Sequence, residues 1–270
     1  MIELFSLKAF QNALLASLFG GCGLSLVGVF VILMDLPFLG IAMSHSALLG
    51  AVIGLLFGFN PLAGAIIACA LSSIVIGPAA DRSGASSNSI LAILFSASMG
   101  AAFLLMSLMD GPKSEALNLI WGSILTISRP EAGFLGLAFF TVIGLLVLFY
   151  KELSAVLFNR EIAASSGIKE RFIYYAIISS AGLIISASLD IVGGLLIFTL
   201  LVNPASAANQ LTYRLKTMFL LSALFGFISC VTGLIFSYIF DLPTGAVIVI
   251  ASSIIFLFSY IFSPKRGHEG

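Results

Sequence analysis

Residues 36–80 read LPFLGIAMSHSALLGAVIGLLFGFNPLAGAIIACALSSIVIGPAA, 45 positions without an Asp, Glu, Lys or Arg. A helix crosses a bilayer with about 20 mostly apolar residues, so this stretch is twice too long for one crossing. Asn60-Pro61 near its middle is a turn signal that divides it into two. Working outward, the other charge-free stretches are 9–34, 83–109, 132–150, 172–189, 191–213, 217–240 and 242–264, each sized for one crossing. The expected architecture is all-α, a polytopic transmembrane bundle of about nine spans. Between 111 and 130 lies a shorter apolar piece, Ala116 to Ser128 with Trp121-Gly122, which reads as interfacial or re-entrant. Were it to cross, the count would be ten.

Composition agrees with that reading. Of 270 residues 60% are hydrophobic and 9% charged, with mean hydropathy +1.18, where soluble domains carry about 25% charged residues. Twelve Lys+Arg balance twelve Asp+Glu, so no basic excess recruits nucleic acid. Cys22, Cys69 and Cys230 lie far apart in apolar stretches, which is neither a disulfide framework nor a CxxC site, and they read as packing residues. The first apolar run lacks a small-residue cleavage site and is expected to stay in the mature protein. No hydrophilic stretch exceeds about 20 residues, too little for a soluble catalytic domain, so the whole of 1–270 is expected to form a single membrane domain.

Orientation follows the positive charges. With the 151–171 loop in the cytoplasm, Arg82, Lys151, Arg160, Lys169, Arg171, Arg214, Lys216, Lys265 and Arg266 lie inside and Lys8, Lys113 and Arg129 outside. The C-terminus is then cytoplasmic, and nine spans put the N-terminus outside.

Polar residues inside spans are the functional candidates, because an ionisable group in hydrocarbon is costly. His45, between Ser44 and Ser46, should lie near mid-membrane, and neutral imidazole is a common ligand for Zn, Mn or Fe ions; a histidine hydrogen-bonded to a neighbouring helix is the structural alternative. Asp190 and Asp241 each follow a span that leaves the cytoplasm, where they could attract a cation or be solvated loop acids. Asp241, in Asp-Leu-Pro-Thr-Gly, could instead cap the next helix. Asp35, at the inner end of the first span, reads as solvated. Asn203-Pro204 inside 191–213 marks a break or a kink. Gly50, Gly54 and Gly58 form a small-xxx-small stripe suited to close helix packing. Phe158 to Ile168 reads as a short amphipathic helix ended by Gly167.

Four blocks resemble one known family, the membrane permease subunit of the metal-ion (zinc, manganese, iron) ABC importers. They are Phe10-Gln-Asn-Ala-Leu with Gly28-Val-Phe-Val-Ile-Leu; Leu39 to Gly50 around Ser-His45-Ser-Ala; the Glu161 to Gly167 loop with Val192-Gly-Gly-Leu-Leu and Asn203-Pro204-Ala-Ser-Ala-Ala; and Phe236 to Ala246 around Asp241. Together they run from about residue 8 to 262. The resemblance implies that two copies surround a central pathway and that an extracytoplasmic metal-binding protein delivers the cation. An ABC ATP-binding subunit would drive transport through the 151–171 loop, in which Arg160, Glu161, Ala164 and Gly167 serve coupling. His45, Asp241 and Asp190 would meet the cation, and Asn203-Pro204 would break a helix in the pathway. No cofactor is bound permanently; the Zn, Mn or Fe ion is cargo, and the site of action is the cell membrane.

This chain departs from the family at two positions. The family often has an acid one turn before the histidine, where this chain has Ile41, and usually an aliphatic residue where this chain has Asn203. Three rivals remain open at this level: a permease for a chelated cargo such as a siderophore or cobalamin, an ATP-independent secondary carrier, and an intramembrane enzyme. The enzyme would need paired acids, a HExxH-like pair or a Ser/His constellation at one depth, and of these groups only His45 is available in mid-span, since His268 lies near the C-terminus.

Overall fold

The computed structural model of the chain describes residues 8–83, 85–109 and 127–265, together with 117, 119, 120 and 122. Most of the 111–130 segment, the side chain of Arg82 and the residues from Arg266 onward lie outside the described residues. Helix α1 comprises Lys8–Ala16, a π-helical turn Ser17–Gly21 and Cys22–Leu33. Then come α2 (Leu39–Phe57), α3 (Pro61–Ser83), α4 (Ser87–Leu108), α5 (Arg129–Leu148), α6 (Tyr150–Phe158), α7 (Arg160–Ser165), α8 (Glu170–Val192), α9 (Gly194–Leu211), α10 (Leu215–Phe240) and α11 (Thr244–Ile261).

Every stretch expected to cross holds one long helix among the described residues. Seven of these, α1, α2, α4, α5, α8, α10 and α11, are long and apolar enough to cross a membrane; the other two long helices are α3 and α9. Charge gaps misplace the ends because charged residues belong to the helix termini. α5 opens on a capping box in which Ser128 and Glu131 satisfy each other's backbone N–H groups, at 3.4 and 2.8 Å. α8 starts at Glu170 and carries Asp190 in its last turn.

Of the seven, α1, α2 and α8 are the most enclosed, 78%, 67% and 72% of their spans against 22%, 28% and 17% for α4, α5 and α11, and α9, with no exposed residue among those described, packs with them at the centre. The outer helices therefore present apolar surface to lipid or to other chains. Small residues let the inner backbones touch. A Cβ on Gly28 would land on the Leu201 carbonyl, joining α1 to α9, and one on Gly50 would land on the Gly64 carbonyl, joining α2 to α3. Side-chain hydroxyls add to this packing: Ser25 Oγ donates to Leu200 O at 3.1 Å on the α1–α9 seam, and Ser222 Oγ to Ser25 O at 2.7 Å joins α10 to α1. The three cysteines are buried and unbridged.

The glycine stripe of α2 divides into two roles. Gly50 and Gly54 pack against α3, whereas Gly58 has φ +73 with open space around it and is the left-handed cap that ends α2. A Gly50→Leu chain is expected to lose about 3 kcal/mol or fail to fold, because the clash is with backbone that no rotamer relieves. Gly100→Leu on α4, where nothing lies within 4 Å, is expected to melt like wild type. Thermal melts followed by size-exclusion chromatography check the pair.

Candidate translocation and coupling site

His45 lies in the second turn of α2, about 9 Å along the axis from Leu39 and about 18 Å from Phe57. That is nearer the α1–α2 end of the helix than its far end. Its ring stands edge-on to Phe95 of α4, centroids 4.7 Å apart, and beside it Ser46 Oγ pairs with Ser98 Oγ at 3.2 Å. The imidazole Nδ1 lies 2.9 Å from the Ile41 carbonyl oxygen. A carbonyl can only accept, so this contact requires Nδ1–H and leaves the lone pair on Nε2. This is the tautomer in which a histidine ligates a metal through Nε2, with its other nitrogen held by a backbone carbonyl. The ring is half-buried, within the wall of the bundle. Ile41 thus orients His45 through its backbone, while its side chain supplies no carboxylate.

The other candidates stay apart from it. Asp190 is exposed in the last turn of α8, and Asp241 is exposed at the C-terminal end of α10. Among the described residues no three His, Cys, Asp or Glu side chains converge as a metal-binding group, so His45, Asp190 and Asp241 do not form one site within a single chain. Asp241 does not cap the helix that follows it. It ends α10 in the left-handed conformation, φ 51 and ψ 46, and α11 begins after Pro243 without a side-chain cap. Ser237 fastens this turn, donating to Leu242 O at 2.6 Å and pairing with Thr244 Oγ1 at 2.7 Å.

Asn203 and Pro204 do not break a helix, because α9 runs through both. The interruption in this region falls at Gly193, φ +80, between α8 and α9. There the backbone of Gly122, itself at φ +65, approaches so closely that a Cβ would strike Val192 and Gly193. Asn203 instead donates through Nδ2 to Ser252 Oγ and Ser253 Oγ, both at 3.1 Å, fastening α9 to α11.

Within the 151–171 loop the expected glycine-ended helix forms as α7, while α6 before it was not expected from the sequence. The Asn159 side chain accepts from Ile162 N–H at 3.0 Å and starts α7. Gly167, φ +82, ends it, with Ile168 N–H donating back to Ala163 O at 3.1 Å in a Schellman turn. Arg160 anchors the helix: its guanidinium lies 4.3 Å from the Tyr174 ring centroid and 4.0 Å from Glu170. Ala163 is buried, while Glu161, Ala164 and Gly167 face outward. Phe158 and Ile162, 84% and 55% exposed, flank Glu161. The sequence reading missed these two as part of the surface, although two large apolar side chains four apart on an otherwise polar loop were the signal. A cavity of about 240 Å³ beneath α7 is lined by Leu33, Met34, Leu36 and Ser87 together with Val156 to Arg160 and Tyr174. The C-terminal end of α1 and the 151–171 loop therefore share one face of the bundle.

A bundle of long apolar helices carrying a short glycine-terminated helix on one face has the architecture of a membrane transport subunit. The family model described as the ABC 3 transport family matches residues 6–263; the chain belongs to that family. It is 33% identical to the manganese transport system membrane protein MntC of Halalkalibacterium halodurans, over 98% of this chain and 91% of that protein. It is 31% identical to the manganese import system permease protein ScaB of Streptococcus gordonii, over 95% and 92%. Among solved structures, PsaBC from Streptococcus pneumoniae in complex with a Fab matches with a TM-score of 0.89 at 26% identity, covering 99% of this chain and 96% of that one.

Proposed function

We propose that this chain is the membrane permease of an ATP-driven importer for a divalent transition-metal ion, with manganese the first choice and iron or zinc as alternatives. The observation that carries the metal reading is the His45 ring, whose Nδ1 is committed to the Ile41 carbonyl and whose Nε2 is left for a ligand. The relatives MntC and ScaB, named for manganese, and a probable iron transport system membrane protein of Haemophilus influenzae, 27% identical, support the choice of cargo.

In this reading the nine long helices all cross the membrane as one domain, 1–270. The face carrying the 151–171 loop, the end of α1 and the C-terminus is cytoplasmic, which puts the N-terminus and the ends bearing Asp190 and Asp241 outside. Two copies flank one pathway, so that each contributes a His45. An extracytoplasmic binding protein delivers the ion near Asp190 and Asp241, and an ATP-binding subunit docks on α7 through Glu161, Ala164 and Gly167, with Arg160 holding the helix in place. The permease itself hydrolyses no ATP.

Elemental analysis of cells with and without the permease tests this. A deficit confined to manganese, iron or zinc in its absence is the expected result, and no change in any metal overturns it. A second reading, a permease for a chelated metal, draws on Ile41 standing where a carboxylate would complete a bare-ion site. The two readings part on Ile41→Asp. A carboxylate one turn before His45 shares its helix face, so a bare-ion pathway should hold its metal about tenfold more tightly or more. A chelate pathway should show no gain in metal retained by the purified permease.

A further inference from the structure

Around the turn between α9 and α10 stand cations with no carboxylate partner among the described residues. Lys265 Nζ donates to Asn209 Oδ1 at 3.0 Å and stands 4.7 Å from the Tyr213 ring centroid, while Ser263 Oγ donates to Gln210 O at 2.9 Å. The segment after α11 is thereby clasped to the end of α9. Arg214 and Lys216 follow Tyr213 directly, both exposed. Lys216 Nζ lies 5.3 Å from the ring centroid of Tyr150, whose neighbour Lys151 is also exposed. Among the described residues the ion pairs run from Arg160 and Arg171 to Glu170, and none of Lys151, Arg214, Lys216 or Lys265 has a carboxylate within reach, including Glu152 beside Lys151. Burial lowers the Lys265 ammonium from its ordinary pKa, an effect that a nearby anion would oppose.

Apolar surface begins immediately beside these charges. Leu148 on α5, Leu220 on α10 and Phe262 after α11 are 77%, 70% and 72% exposed. A tyrosine-flanked cationic rim above exposed aliphatic helix faces has the chemistry of a headgroup site with room for acyl chains. A free phosphate would use the rim alone. We propose that this surface binds the headgroup of an anionic phospholipid, with its chains lying along α5, α10 and α11. The proposal goes beyond the transport reading and is independent of the cargo.

The test uses the full-length permease, purified in detergent and equilibrated with an equimolar mixture of phosphatidylglycerol and phosphatidylcholine, with retained lipid counted by native mass spectrometry. Wild type is expected to retain phosphatidylglycerol in preference. Each cation near the headgroup is worth roughly fivefold, so the R214Q/K216Q double variant should retain about twentyfold less. The K151Q/K265Q pair should show a similar loss without altering the start of α10, and K8Q/R129Q should show none. Equal retention of the two lipids by wild type, undiminished phosphatidylglycerol in both double variants, or its displacement by millimolar inorganic phosphate would each overturn the proposal. Should neither double variant fold, wild-type preference decides: its loss in high salt supports the site and its persistence refutes it. Metal uptake plays no part in these readouts, so failure here leaves the transport reading intact.

Discussion

A His45→Ala permease, expressed with its ATPase and binding protein, is expected to lose at least about tenfold in uptake of the cargo metal. Removing a metal ligand should cost no less than removing its supporting partner, which typically costs 10–100-fold. The reason is local. His45 presents Nε2 because Ile41 O holds Nδ1 at 2.9 Å, and alanine removes the donor without disturbing that carbonyl. The ring also packs edge-on against Phe95 at 4.7 Å, so a purely structural histidine would yield a similar first result. His45→Phe separates the two, since phenylalanine keeps an aromatic contact worth about 1 kcal/mol but cannot ligate. Uptake that stays low in both variants, with normal melting, supports the ligand role. Recovery in His45→Phe would reduce His45 to a packing residue.

Glu161→Lys is expected to abolish stimulation of ATP hydrolysis while leaving docking of the extracytoplasmic binding protein intact. The side chain is exposed in the first turn of α7 and takes part in neither recorded ion pair of that loop. Arg160, Tyr174 and the Gly167 turn hold the helix without it. The substitution therefore changes the face offered to the ATPase and not the fold that carries it. Reversing a charge at a protein interface weakens association by about tenfold or more. ATPase rate and binding-protein affinity, measured on the reconstituted complex, check the split, and equal loss of both would contradict a coupling role confined to α7.

The long helices were legible because burial in hydrocarbon forces long uncharged runs, and the gaps between charges found each of them, whereas α6 lies in the charged loop and was missed. What the gaps misjudged were ends and interruptions. Asn203-Pro204 read as a break or a kink, and the break is excluded because α9 passes through it, with the Asn203 side chain donating to Ser252 and Ser253. The interruption is at Gly193, whose φ of +80 and contact with Gly122 depend on a segment far away in the chain. Gly58 looked like the third member of a packing stripe because its spacing matched, but only its backbone angle, φ +73, assigns it to the end of α2.

Taken alone, the chain of residues determined the membrane class, the approximate position of every long helix, the glycine-terminated helix in the 151–171 loop and the singular position of His45. These follow from hydropathy, charge and local turn chemistry, which act over a few residues. Tertiary structure alone decided which helices form the centre, that Asp190 and Asp241 stand apart from His45, and that Lys216 reaches Tyr150 while Lys265 reaches Tyr213. Those outcomes depend on contacts between residues far apart in the chain, 197 positions for Ser222 and Ser25, and close approaches such as Gly28 on Leu201 leave no trace in the local pattern of the sequence.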